Sequence, residues 1–132
     1  MKKIIFFLSL SGIAFASQLA WAGTYKECIE IANEVNQVVP QRIDRITTLI
    51  SAVCKEDGRK VIFSYNYQIE GDTTLTQRDV SSLKAGQVNV LCTNPDTKPL
   101  INEFDIEMSY SDQARKFIGS NRIGKKNCKA VR

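Results

Sequence analysis

The sequence predicts an α+β fold: a four-stranded, mainly antiparallel sheet with two helices packed on one face, stapled by two disulfides. Three observations predict it. Apolar residues recur at helical spacing in two segments, and each is followed by a pair of segments with two-residue spacing, in the order helix, hairpin, helix, hairpin. All four cysteines lie after the first 22 residues, an even number in a short chain, as in disulfide-stapled exported domains. The stretch 23–132 has the length of one domain.

Residues 1–22 read as a secretory signal peptide. Lys2 and Lys3 precede an apolar run from Ile4 to Ala16, and Ala20-Trp21-Ala22 supplies small residues for cleavage before Gly23. The run is shorter than the about 20 apolar residues that cross a bilayer as a helix. No cysteine follows the cleavage position directly, which argues against a lipid-anchored product. The expected product is one exported domain, 23–132, periplasmic or secreted, with no stable membrane insertion.

From Tyr25 to Val39 the residues Cys28, Ile31, Ala32, Val35, Val38 and Val39 define one apolar helix face. Thr24 and Glu27 have the spacing of a capping box, and Pro40 ends the helix. The pattern then switches to alternation, placing Ile46, Thr48, Ile50, Ala52 and Cys54 on one side of a strand. After the turn Glu56-Asp57-Gly58-Arg59, Val61, Phe63, Tyr65, Tyr67 and Ile69 form the inward side of a second strand.

Gly71-Asp72 breaks that strand. Thr76 and Asp79 mark a second helix carrying Val80, Leu83, Val88, Leu91 and Cys92, weakened at Gly86 by about 1 kcal/mol relative to alanine. Turn chemistry follows at Asn94-Pro95-Asp96 and Lys98-Pro99. Phe104, Ile106, Met108 and Tyr110 then alternate with Asp105, Glu107, Ser109 and Ser111, and Lys116 to Ile123 returns as the last strand.

Composition narrows the chemistry. The chain has no histidine, which removes imidazole-dependent serine, cysteine and metal mechanisms. No two cysteines stand two to four apart, as zinc ligands usually do. Neither a metal nor another cofactor is expected. Four cysteines allow three connectivities; Cys28 with Cys54 and Cys92 with Cys128 is the pairing that ties each helix to the hairpin after it. Of the net charge of +4, Lys2 and Lys3 supply two, and the remainder is too small to indicate nucleic-acid binding.

Three features remain. Asp105 and Glu107 could divide acid and base roles in a small hydrolase, although on an alternating strand they fit better as its solvated side. Tyr65, Tyr67 and Tyr110 share faces with core residues, which favours packing over ligand stacking. The carboxy-terminal run is acid-free and carries Arg115, Lys116, Arg122, Lys125, Lys126, Lys129 and Arg132. Such a patch can attract an acidic protein, envelope component or host component.

Pro40, Ile43-Asp44, Thr48, Tyr65-Asn66-Tyr67, Cys92, Ser109-Tyr110, Asp112 and Cys128 give the chain a pattern that resembles a loosely defined group of small exported bacterial proteins without an assigned activity. The resemblance implies compartment and fold and carries no site residue with it. The expected function is a non-enzymatic binding or accessory protein, such as an inhibitor or a host-facing factor. The alternatives are a carboxylate-dependent hydrolase and a structural subunit of an envelope or surface assembly.

Overall fold

The computed structural model describes residues 23–71 and 74–129; the expected signal peptide 1–22 and Arg132 lie outside the described residues. The chain runs α1 (Tyr25–Asn36), β1 (Gln41–Arg42), β2 (Thr47–Asp57), β3 (Lys60–Ile69), α2 (Gln77–Ser81), α3 (Lys84–Thr93), α4 (Lys98–Glu103), β4 (Asp105–Asp112), β5 (Phe117–Ile123) and α5 (Lys125–Cys128). The fold is α+β, as the alternating periods predict, but it differs from the expected architecture in strand count, pairing and helix number.

Among the described residues five strands, not four, form one sheet in the order β1-β2-β3-β4-β5. The extra strand β1 is a two-residue edge that pairs Gln41 with Leu49 and Arg42 with Thr48, too short to leave a periodic signal. The sheet is mixed because β3 and β4 run parallel, with Phe63 opposite Ile106, Tyr65 opposite Met108 and Tyr67 opposite Tyr110. Two hairpins are thus joined by a parallel central pair, and a parallel pair requires a crossover of a dozen or more residues between its strands. Residues 70–104 are that crossover, which is why this stretch carries most of the helices.

Within the crossover, the single helix expected from Thr76 to Cys92 is two. The first ends at the cap Ser82, and α3 starts after Leu83. The segment 98–103, expected as turn, is the short helix α4, with proline in its first turn, where the missing N–H costs nothing. The first helix ends at Asn36 with Gln37 as its cap, ahead of the expected Val39. Thr24 and Glu27 do form the capping box.

The strand β2 corrects the expected inward face. Its pairing with β3 slips between Leu49 and Ser51, a bulge that places two successive residues on one side. Before it Thr47 and Leu49 are buried; after it Ala52 is, while Ile46 and Ile50 are exposed. The expected set Ile46, Thr48, Ile50, Ala52 and Cys54 therefore keeps its phase only from Ala52 onward. In β3, Phe63, Tyr65, Tyr67 and Ile69 point inward as the alternation predicts.

One core joins Cys28, Ile31 and Val35 of α1, Phe63, Tyr65 and Tyr67 of β3, Val80 and Leu91 of the crossover, and Ile106 and Met108 of β4. The helices thus cover one face of the sheet. Cys28 is bonded to Cys54, tying α1 to β2, and Cys92 to Cys128, tying α3 to α5, with sequence separations of 26 and 36. Loops of this length correspond to about 3 to 4 kcal/mol each in the chain-entropy model.

Candidate functional site

On the helical side, the loop before β2, the ends of β2 and β3, and the walls α2 and α3 enclose a groove of about 630 Å³. Its lining is mainly apolar: Ile46 and Ile69 on one side, Leu75, Leu83 and Val90 on the other, Tyr67, Met108 and Tyr110 from the sheet. Sequence creates the opening in two ways. The break between α2 and α3 leaves Leu83 47% exposed, and the bulge and turn before β2 leave Ile46 49% exposed. Apolar side chains that a continuous helix and an unbulged strand would turn inward are thereby held at a rim.

Charge at this groove has one sign. Asp44 and Asp79 belong to the lining and no lysine or arginine does. Asp44 Oδ1 accepts from the Ile46 amide at 3.0 Å and the Thr47 amide at 2.8 Å. Partial burial pushes its carboxyl up, but these hydrogen bonds outweigh that and the net shift is downward. Asp79 Oδ2 accepts from the Thr76 amide at 2.8 Å, closing the cap of α2. Both carboxylates are fixed in place by backbone donors.

The groove also carries polar groups. Gln87 Nε2 donates to the Tyr110 hydroxyl at 2.8 Å, Asn121 Nδ2 donates to Gln87 Oε1 at 2.8 Å, and Asn121 Nδ2 donates also to the Val80 carbonyl at 2.7 Å. This network tethers β5 to α2 and α3. The Tyr67 and Tyr110 rings stack 5.1 Å apart and 20° from parallel. The Tyr67 hydroxyl is buried with no hydrogen-bond partner among the described residues. Burial pushes the Tyr110 phenol up to about 12, with the charge of Asp44 adding and the Gln87 hydrogen bond opposing; burial raises Tyr67 well above the usual range, with contributions from Tyr65 and Tyr110.

Of the residues that the sequence singles out, Tyr67 and Tyr110 line the groove, whereas the carboxylate pair and the basic run lie elsewhere. Asp105 and Glu107 sit on the face of the sheet that no helix among the described residues covers, inside an ion network: Lys55 Nζ to Glu107 at 2.6 Å, Lys60 Nζ to Asp105 at 3.6 Å, and Arg122 to Asp105 at 2.9 Å and to Asp57 at 2.8 Å. Ser64, fully buried, donates to Glu107 at 2.7 Å. Burial raises the Glu107 carboxyl, yet the hydrogen bonds from Lys55 and Ser64 and the charges of Lys55 and Arg122 carry it below its ordinary value.

The basic run is not brought together. Arg115 and Lys116 lie in the β4–β5 turn, and Lys125, Lys126 and Lys129 lie beyond the far end of β5, a separation of roughly 23 Å at the usual strand rise. Arg122 is already engaged by two carboxylates. The groove was missed at the sequence level because Ile46 and Leu83 fit the periods of a strand and a helix that would turn them inward; the one signal was an apolar Leu75 in a segment that otherwise reads as polar loop.

Fold and disulfides define a small α+β domain suited to an oxidising compartment outside the cytoplasm. The fold is shared with a candidate secreted protein from Pseudomonas aeruginosa, at a TM-score of 0.65 and 13% identity over 79% of this chain and 91% of that one. It is shared also with the pilotin of the Vibrio vulnificus type 2 secretion system, at a TM-score of 0.58 and 9% identity over 79% of this chain and 90% of that one. No protein-family model matches the chain, and no curated protein matches it by sequence. No helix among the described residues is long and apolar enough to cross a membrane.

Proposed function

We propose that the chain works outside the cytoplasm as a non-enzymatic accessory protein that holds a segment of a protein partner in the groove between α2–α3 and the sheet. The carrying observation is the groove itself: an apolar lining of this size with Ile46, Leu75 and Leu83 exposed at its rim and two fixed carboxylates, with no lysine or arginine in the lining among the described residues. Exposed apolar side chains grouped around a concavity mark interaction sites. An amphipathic segment laid with its apolar side inward fits such a groove, and the carboxylates favour one with lysine or arginine beside the apolar anchors. The shared fold of a type 2 secretion pilotin supports a partner within a secretion or envelope apparatus.

Photocrosslinking in an exporting cell tests this reading. A photoreactive amino acid placed at Leu83 or Ile46 should join the chain to one protein, through an apolar segment with adjacent basic residues, while the same group at Glu30 on the exposed side of α1 should not. Equal crosslinking from all three positions, or none from the groove, overturns it. A product containing two copies of this chain favours the subunit of an assembly instead.

A further inference from the structure

Tyr67 and Tyr110 both line the groove; the Tyr67 hydroxyl is buried without a hydrogen-bond partner among the described residues, and the Tyr110 hydroxyl is engaged by Gln87. They are opposite one another on the parallel strands β3 and β4, and their rings stack. The Tyr110 oxygen accepts from Gln87, which leaves its own O–H to donate; the Tyr67 hydroxyl has no partner among the described residues. Tyr65 also has an unpartnered buried hydroxyl, but it does not line the groove. A hydroxyl buried without a partner costs about 1 to 3 kcal/mol, a cost that an entering polar group can remove.

We infer that the Tyr67–Tyr110 pair is a polar seat on the groove floor that selects a neutral hydrogen-bonding side chain, serine, threonine, asparagine or glutamine, among the apolar anchors of the bound segment. The inference rests on the groove reading above. Neutrality follows from the surroundings: Asp44 and Asp79 repel a carboxylate, and stripping the water from a lysine or arginine head at a buried pair of neutral phenols costs more than burying an uncharged side chain there. Both phenols stay protonated at neutral pH and so present donors. A purely apolar anchor leaves the Tyr67 hydroxyl unsatisfied, which is how a buried polar group discriminates against ligands that lack a match.

The test uses a display library of randomised amphipathic peptides selected on the oxidised protein. Binders that are lost on Leu83→Glu define groove binding. Among them one serine, threonine, asparagine or glutamine flanked by apolar residues should be enriched, and replacing it by alanine should weaken binding roughly fivefold to tenfold. On Tyr67→Phe the same replacement should change affinity by less than about twofold, the signature of a coupled pair in a double-mutant cycle. Because Tyr67→Phe removes only an unsatisfied hydroxyl, folding is retained; a denaturation midpoint at or above that of the wild type verifies this. Tyr110→Phe should give a partial loss of the same coupling. Groove-dependent binders with no polar enrichment, or with no coupling to Tyr67, overturn the polar seat and leave the groove reading standing. Absence of any Leu83-dependent binder overturns both.

Discussion

The side-chain amide of Asn36 binds the backbone of Ala52 twice, donating from Nδ2 to the carbonyl and accepting at Oδ1 from the amide, each at 2.8 Å. The same device closes the opposite edge of the sheet, where Gln77 Oε1 accepts from the Ser120 amide at 2.9 Å and Gln77 Nε2 donates to its carbonyl at 3.1 Å. In each case a helix supplies one carboxamide that takes the place of a neighbouring strand. Open strand edges are templates for pairing with other chains. Asn36→Ala should therefore destabilise the fold by about 1 to 3 kcal/mol, read as a lower urea midpoint. It should also increase concentration-dependent self-association, read by light scattering. Neither effect should follow from alanine at Asn33, which is exposed on the same helix.

Two glycines near the groove should respond in opposite ways to alanine. A Cβ on Gly86 would meet nothing within 4 Å, so Gly86→Ala in α3 should stabilise the protein by roughly 0.5 to 1 kcal/mol through helix propensity alone. A Cβ on Gly119 would lie 2.5 Å from Gln77 Oε1 and 3.0 Å from Gln77 Cα. Gly119→Ala must displace α2 from β5 and break the Gln77–Ser120 pairing, so its thermal midpoint should fall. Parallel melting curves of the two variants check both signs.

These contrasts bear on what was readable in the sequence. The capping box at Thr24 and the inward face of β3 were legible because local chemistry decides them: three-residue spacing in one case, strict alternation in the other. The bulge at Ile50, the two-residue β1 and the parallel pairing of β3 with β4 were not, since each depends on a distant partner that no local period encodes. The groove was hidden for the same reason. Its walls come from segments far apart in sequence, and its rim residues Ile46 and Leu83 fit local periods that predict burial. The basic run looked continuous in sequence only because a strand's length is invisible in a residue count.

Acid should expose the role of the ion network on the uncovered face. Glu107 has a folded-state pKa below its ordinary value of 4.5, so the unfolded chain binds its proton first as pH falls. Its contribution is complete above that ordinary value and is lost as pH drops through the folded value beneath it. Glu107→Gln keeps an acceptor for Ser64 but removes the charge facing Lys55. At pH 7 the variant should be less stable by on the order of 1 kcal/mol. Between pH 5 and pH 3, a range of roughly the carboxylate titration, the wild type should lose more stability than the variant. Urea midpoints at these three pH values decide it, and an equal acid loss in both would remove Glu107 from the account.

Electrostatics separates the groove from the carboxy-terminal lysines as the contact surface. Asp44 and Asp79 line the groove, whereas Lys125, Lys126 and Lys129 lie in and after α5, which packs on α3 and α4. Asparagine at both acidic positions keeps an oxygen for the backbone hydrogen bonds and removes only the charge. For the partner captured by crosslinking, the double variant Asp44→Asn/Asp79→Asn should bind with an association rate lower by on the order of threefold to tenfold, and with a weaker salt dependence. Serine at Lys125, Lys126 and Lys129 should leave the rate unchanged or raise it slightly, since it removes like charge facing a basic segment. If the lysine variant instead slows association and the aspartate variant does not, the partner is acidic and meets the carboxy-terminal end. Rates measured by surface plasmon resonance at low and high salt, with both disulfides verified by mass, distinguish the two surfaces directly.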